Sequence, residues 1–138
     1  MKQLDSGIYI FDSGYRGPCQ KEETDQMAYG LWMAHRFPDV NFFHVPNETG
    51  TKSGVQFVLK RKKMGVKSGV FDNVILTPGL EWPYGAIELK KQKKTGTKVS
   101  DNQWSFGGKV VRDGGFAAIA YGIDEAKKAT LYYFGLME

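Results

Sequence analysis

Three short apolar runs limit what this chain can fold into: GVFDNVIL at residues 69–76, AIELK at 86–90 and GGFAAIAYG at 114–122. Each is bounded by glycine, proline or polar turn residues and reads as a strand entering a core. Between and around them lie segments of helical character. Residues 19–36 follow Pro18, a residue suited to a first helical turn, and place Met27, Leu31 and Ala34 or His35 on one side. Pro38 disfavours helix at Phe37 and ends that segment. VNFFHV at 40–45 is rich in β-branched and aromatic residues and predicts a further strand. VQFVLKRKKMG at 55–65 predicts a basic helix closed by Gly65. Ser100 and Gln103 form a capping box that opens another helix, although Gly107 and Gly108 each weaken its middle by about 1 kcal/mol. Asp124 is placed to cap a last helix running to about Leu136. Strands that alternate with helices in this way predict an α/β fold with a mixed central sheet flanked by helices. Residues 1–18 read as an N-terminal arm or short strand, and 19–138 as one domain.

Charge is unevenly distributed. The net charge is +4, yet residues 49–100 hold eleven Lys or Arg against three acids, Asp72, Glu81 and Glu88. This positive middle suits a polyanionic partner or a solvated lysine-rich face. Cys19 is the one cysteine, so no internal disulfide can form and a reducing, cytoplasmic setting is expected. No apolar stretch reaches the roughly 18 residues of a spanning helix, so no membrane partner is expected. The first residues hold no apolar core long enough for a signal peptide.

Two of the three acids of the basic middle sit in strands. Asp72 occupies a position where an apolar residue would serve a core better, and burying a charge is costly unless it is paired or binds a metal. Glu88 and Lys90 point to the same face of their strand, because side chains alternate along it. If the two strands pair across the short turn between them, the carboxylates of Asp72 and Glu88 converge. Two carboxylates, a backbone carbonyl and water make an adequate Mg²⁺ site. Lys90 could then orient a water or stabilise charge on a phosphate, which describes metal-assisted phosphodiester hydrolysis. The plain alternative is a salt bridge of Glu88 with Lys90, or a polar pair on a solvated sheet face.

The succession HVPNE, KRKKMGVKSGVFDNVIL, AIELK, SDNQ and YGIDEA resembles the VRR-NUC family, a branch of the PD-(D/E)XK nucleases that includes small stand-alone bacteriophage proteins. The likeness covers about residues 22–134, with the motifs in family order. It implies a restriction-endonuclease-like fold, a Mg²⁺ or Mn²⁺ cofactor, DNA as substrate, and a homodimer that resolves four-way junctions. For a phage protein the compartment would be the cytoplasm of the host. On this resemblance Asp72 and Glu88 are the catalytic acids, Lys90 the catalytic lysine, and the backbone carbonyl of Leu89 a further metal ligand. Gln103 matches the glutamine on the following helix. Glu23 matches the acid on the first helix, with Glu22 its competitor. His44 and Asn47 match an accessory pair before the second helix. Phe71 departs from the proline usual before the first catalytic Asp.

Two basic groups would then grip DNA: Lys60, Arg61, Lys62, Lys63 and Lys67 ahead of Asp72, and Lys91, Lys93, Lys94 and Lys98 beyond Lys90. Such contacts bind phosphates without reading sequence, so selection by DNA shape is expected. Trp104, Tyr132, Tyr133 and Phe134 are candidates for a dimer interface or for the core. Two other readings remain open: a flap or other nuclease on the same fold, and a DNA-binding protein that does not cut.

Overall fold

The computed structural model describes residues 1–46, 54–92 and 98–137. In chain order the elements are β1 (Lys2–Gln3), β2 (Tyr9–Phe11), α1 (Glu22–Arg36), β3 (Phe42–His44), α2 (Val55–Lys63), β4 (Asn73–Ile75), β5 (Gly85–Lys90), α3 (Asp101–Arg112), β6 (Phe116–Tyr121) and α4 (Ile123–Phe134). The strands form one six-stranded sheet in the order β1-β2-β6-β5-β4-β3. β2, β6 and β5 run parallel, while β1, β4 and β3 are antiparallel to their neighbours. The predicted mixed α/β architecture is therefore present, and the N-terminal segment adds two strands to it. Ile8 and Phe11 are buried, and β2 is hydrogen-bonded alongside β6.

Helices cover both faces. On one, Tyr29 and Met33 of α1 and Ala126, Ala129 and Tyr133 of α4 pack over Ile75, Ile87, Leu89 and Phe116. On the other, Val110 of α3 packs with Ile8, Phe71, Ala86, Ala117 and Ile119. β6, at the middle of the sheet, is buried at every position and contributes three alanines. These small side chains let helices lie close on both sides.

The glycine pair in α3 has a packing explanation. A Cβ on Gly107 would stand 2.8 Å from Ile8 Cδ1 and 2.9 Å from Phe71 Cζ, whereas a Cβ on Gly108 would meet nothing within 4 Å. Gly107 thus sets how near α3 approaches the sheet. The capping box at Ser100 is present in both directions, with Gln103 N–H donating to Ser100 Oγ at 3.1 Å and Ser100 N–H to Gln103 Oε1 at 3.0 Å.

Three expectations need correction. α1 buries Tyr29 and Met33, while Met27 and Leu31 are 60% and 74% exposed. The Tyr29–Trp32–Met33 stripe carries more apolar surface, and the Tyr29 hydroxyl lies 2.7 Å from Thr130 Oγ1 of α4, so that face turned inward. α1 begins at Glu22 rather than residue 19. The cap of α4 is Gly122, whose φ of 91° makes the turn from β6, and Asp124 lies inside the first helical turn. Tyr133 is buried, and Tyr132 and Phe134 pack against the same core; Trp104 is the exposed member of the aromatic set considered for an interface.

Candidate active site

Asp72 and Glu88 meet where β4 and β5 separate. Asn73 pairs with Ile87 in the antiparallel ladder, so Asp72 and Glu88 are the next facing residues. At this rung the carboxylates take the backbone amides. Asp72 N–H donates to Glu88 Oε1 at 3.1 Å, and Leu89 N–H donates to Asp72 Oδ1 at 3.0 Å. Each acid is therefore fixed by the other strand's main chain.

The surroundings tighten both acids. Asn73, fully buried, donates to Asp72 Oδ1 at 3.0 Å and exchanges two amide hydrogen bonds with Gln26 of α1, at 2.7 and 2.9 Å. Gln103 Nε2 donates to Glu88 Oε2 at 3.1 Å, while the same amide's oxygen accepts from Ser100. Capping and contact with the acid are thus done by one side chain. Lys90 is buried; its Nζ lies 3.5 Å from Glu88 Oε2 and donates to the Lys98 carbonyl at 3.1 Å. Phe71 sits in the α3-side core with its ring 5.1 Å from Phe106. It anchors the chain just before Asp72 by packing.

α1 supplies the third acid, and it is Glu22. Single oxygens of Glu22, Asp72 and Glu88 all lie within 4.8 Å of one another. Glu23, the expected residue, is exposed and outside this group. The two are neighbours at the very start of α1, about 100° apart around the helix, so where the helix begins decides which one faces the strands.

Burial is the main influence on all three acids and raises their pKa values. For Asp72 the Leu89 N–H opposes the rise and Glu22 adds to it. For Glu88 the Asp72 charge adds to the rise and Lys90 opposes it. For Glu22 Lys90 opposes and Asp25 adds. Three clustered carboxylates with one ammonium leave excess negative charge in a poorly solvated place. Oxygen donors so arranged fit a hard divalent cation, and Mg²⁺ or Mn²⁺ belongs to that class.

The remaining candidates are more scattered. His44 Nδ1 lies 2.7 Å from the Asp72 carbonyl, which also accepts from Val45 N–H at 2.8 Å. A carbonyl only accepts, so Nδ1 carries the proton, and His44 steadies the backbone at Asp72. Lys60, Lys62, Lys63 and Lys67 are exposed, and Arg61 lies over the Phe57 ring at 5.5 Å. α2 buries no residue. Lys91 is half-buried and Lys98 exposed. Asn47, Lys93 and Lys94 fall outside the described residues. Asn73 escaped sequence reasoning, although a second polar residue directly after Asp72 inside an apolar run was a usable signal.

No protein-family model matches the chain, and no curated protein matches it. A solved structure described as a VRR_NUC domain protein matches with a TM-score of 0.68 at 22% identity, covering 90% of this chain and 94% of that one. The class is thereby settled as an α/β protein of the restriction-endonuclease-like fold. Within that class, the chain has the arrangement seen in a VRR_NUC domain protein. Among the described residues, no helix is long and apolar enough to cross a membrane.

Proposed function

We propose that this chain is a VRR-NUC nuclease of the PD-(D/E)XK superfamily that hydrolyses phosphodiester bonds in DNA with Mg²⁺ or Mn²⁺. The observation that carries this reading is the gathering of Glu22, Asp72 and Glu88 around one point, with Lys90 and Gln103 on Glu88, on this fold. Glu22, Asp72, Glu88 and the Leu89 carbonyl would hold the ion. When bound, the ion supplies charge neutralisation at the phosphate and a more acidic water. The chain's own groups do the positioning. Asp72 N–H and Gln103 hold the two oxygens of Glu88. The Lys90 side chain stands beside Glu88, where it can meet a phosphate oxygen or hold the attacking water.

Branched DNA is the proposed substrate, with a four-way junction cut by a homodimer as the specific form. The positive segment offers lysine and arginine contacts to the phosphate backbone, which carry no sequence information. A two-fold dimer matches a two-fold junction. Exposed Met27 and Leu31 on α1, and Phe57 and Leu59 on α2, supply apolar surface for a second copy. Lys60, Arg61, Lys62, Lys63, Lys67, Lys91, Lys93, Lys94 and Lys98 are the proposed backbone contacts, with His44 and Asn47 accessory. The proposed setting is the cytoplasm, that of the host if the protein is phage-encoded.

The test is cleavage of a labelled four-way junction, a flap and a linear duplex in Mg²⁺ and in Mn²⁺. Paired symmetric nicks on the junction, lost in Asp72→Ala, are expected. Cutting of flaps alone would keep the site and replace the substrate. Undiminished cutting by Asp72→Ala would refute the assignment of the site.

A further inference from the structure

Beside the acids lies a cavity that the cleavage chemistry does not use. It measures about 520 Å³ and is lined by Met1, Lys2, Leu4, Ile10, Asp12, Trp104 and Tyr121. Its place in the fold connects it to the site. Tyr121 pairs with Lys90 in the parallel β5–β6 ladder, so the two stand one strand apart, about 4.8 Å. Ile10 pairs with Ile119, and Ile119 with Glu88. Tyr121 and Ile10 belong to the α3-side core, the face of the sheet that also carries Glu88 and Lys90. Trp104 directly follows Gln103, whose amide holds Glu88. The cavity therefore continues the active site along the carboxyl ends of the parallel strands β5, β6 and β2.

Its chemistry is that of a base-stacking platform. Trp104 is 36% exposed and Tyr121 forms part of the buried sheet beneath. A volume of this size holds a nucleobase with its sugar. The one acid in the lining is already neutralised. Arg16 donates to both oxygens of Asp12, at 3.3 and 3.2 Å, and Gly14 N–H donates at 2.9 Å. Lys2 leaves the wall net positive, which suits a phosphodiester strand.

We infer that this cavity receives the base of an unpaired nucleotide next to the phosphate being cut, with the base stacked on Trp104. The inference rests on the nuclease reading and deepens it by naming what the enzyme requires of its DNA. A paired base must leave its stack to enter, at a cost of a few kcal/mol, whereas a base at a branch point is already partly released. Trp104 thereby selects branched over continuous duplex, and does so without reading sequence.

The experiment uses the full chain carrying Asp72→Asn, so that DNA stays intact, in Mg²⁺. The probe is 2-aminopurine at an unpaired position of a junction strand, compared with the same base in a fully paired duplex. The unpaired base is expected to be quenched on binding. Adding Trp104→Ala is expected to abolish the quench and weaken binding of the branched DNA about 5- to 150-fold, the range for one lost base–aromatic stack. Duplex affinity should change less than twofold, and Trp104→Phe should restore both properties. A quench that survives Trp104→Ala, or an equal loss on branched and paired DNA, would overturn the inference. Cleavage by the wild type separates the two ideas. Cutting without a Trp104-dependent quench removes the base pocket alone; failure to cut any DNA removes the nuclease reading, whatever the quench shows.

Discussion

Gly107 and Gly108 offer a comparison in which one contribution cancels. Replacing either by alanine gains the same helix propensity, about 1 kcal/mol. At Gly108 the new methyl meets nothing within 4 Å, so that gain stands alone. At Gly107 it meets Ile8 Cδ1 at 2.8 Å and Phe71 Cζ at 2.9 Å. Both partners are buried in the α3-side core, and a phenylalanine ring held by Phe106 has little room to withdraw. Overpacking of this kind costs about 1–3 kcal/mol. The difference between the variants is that packing cost alone. For a chain of this length, between the two calibrated sizes, it corresponds to roughly 3–12 °C in Tm. Gly108→Ala should melt about 3–4 °C above wild type and Gly107→Ala at or below it. Gln103 lies one turn before Gly107 on the same helix face. Lifting α3 should stretch the Gln103–Glu88 bond, so Gly107→Ala should also lose cleavage while Gly108→Ala keeps it. Calorimetry in EDTA, with a nicking assay on the same preparations, reads both. A Gly107→Ala protein at least as stable as Gly108→Ala would refute the account of how α3 is seated.

Glu22→Gln should weaken Mn²⁺ binding by about tenfold or more, the order that even a group orienting a ligand contributes, while Glu23→Gln stays within twofold; titration calorimetry decides, and equal effects would remove α1 from the metal site. Ser100→Ala and Gln103→Ala should each cost about 1 kcal/mol of stability through the cap, but only the second should also depress kcat on DNA. Equal kcat losses would mean that Gln103 acts on the site through the helix alone. Burial pushes Asp72 up to about 7 and Glu88 up to about 8, so the folded chain binds more protons than the unfolded one and stability falls as pH rises. That loss begins near pH 4 and is complete above about pH 8. Without metal, Tm should therefore be lower at pH 8 than at pH 5, and Mn²⁺ should raise Tm more at pH 8. A larger Mn²⁺ effect at pH 5 would contradict the electrostatic argument.

Much of the fold could be read from local pattern, because its strands are short apolar runs closed by turn residues. The pairing of β4 with β5 followed from the turn between them, and with it the meeting of Asp72 and Glu88. Two kinds of information were not local. The inward side of α1 carries the larger stripe of Tyr29, Trp32 and Met33, but the bond that seats it joins the Tyr29 hydroxyl to Thr130, 101 residues away. The choice between Glu22 and Glu23 follows from where the helix starts, and Lys21, its N-cap, makes no side-chain capping bond that would mark the spot. β2 falls in the segment read as an arm or short strand, but three residues are too few to show periodicity, and its place in the sheet is owed to β6. Phe71 remains a departure from the motif, and its packing against Phe106 is a long-range contact that the sequence does not display.

The crossed hydrogen bonds at Asp72 and Glu88 also bind two equilibria together. The last rung between β4 and β5 is made from the carboxylates that would take the ion. When this sheet end frays, the ligands part; when a cation draws the ligands in, the fray is closed. Ion binding and local opening are then one process, and the amide protons of Asp72 and Leu89 report on both. Their exchange with solvent should slow on adding Mn²⁺ by more than that of amides in β6, so that a chelator acts on this protein as a local denaturant.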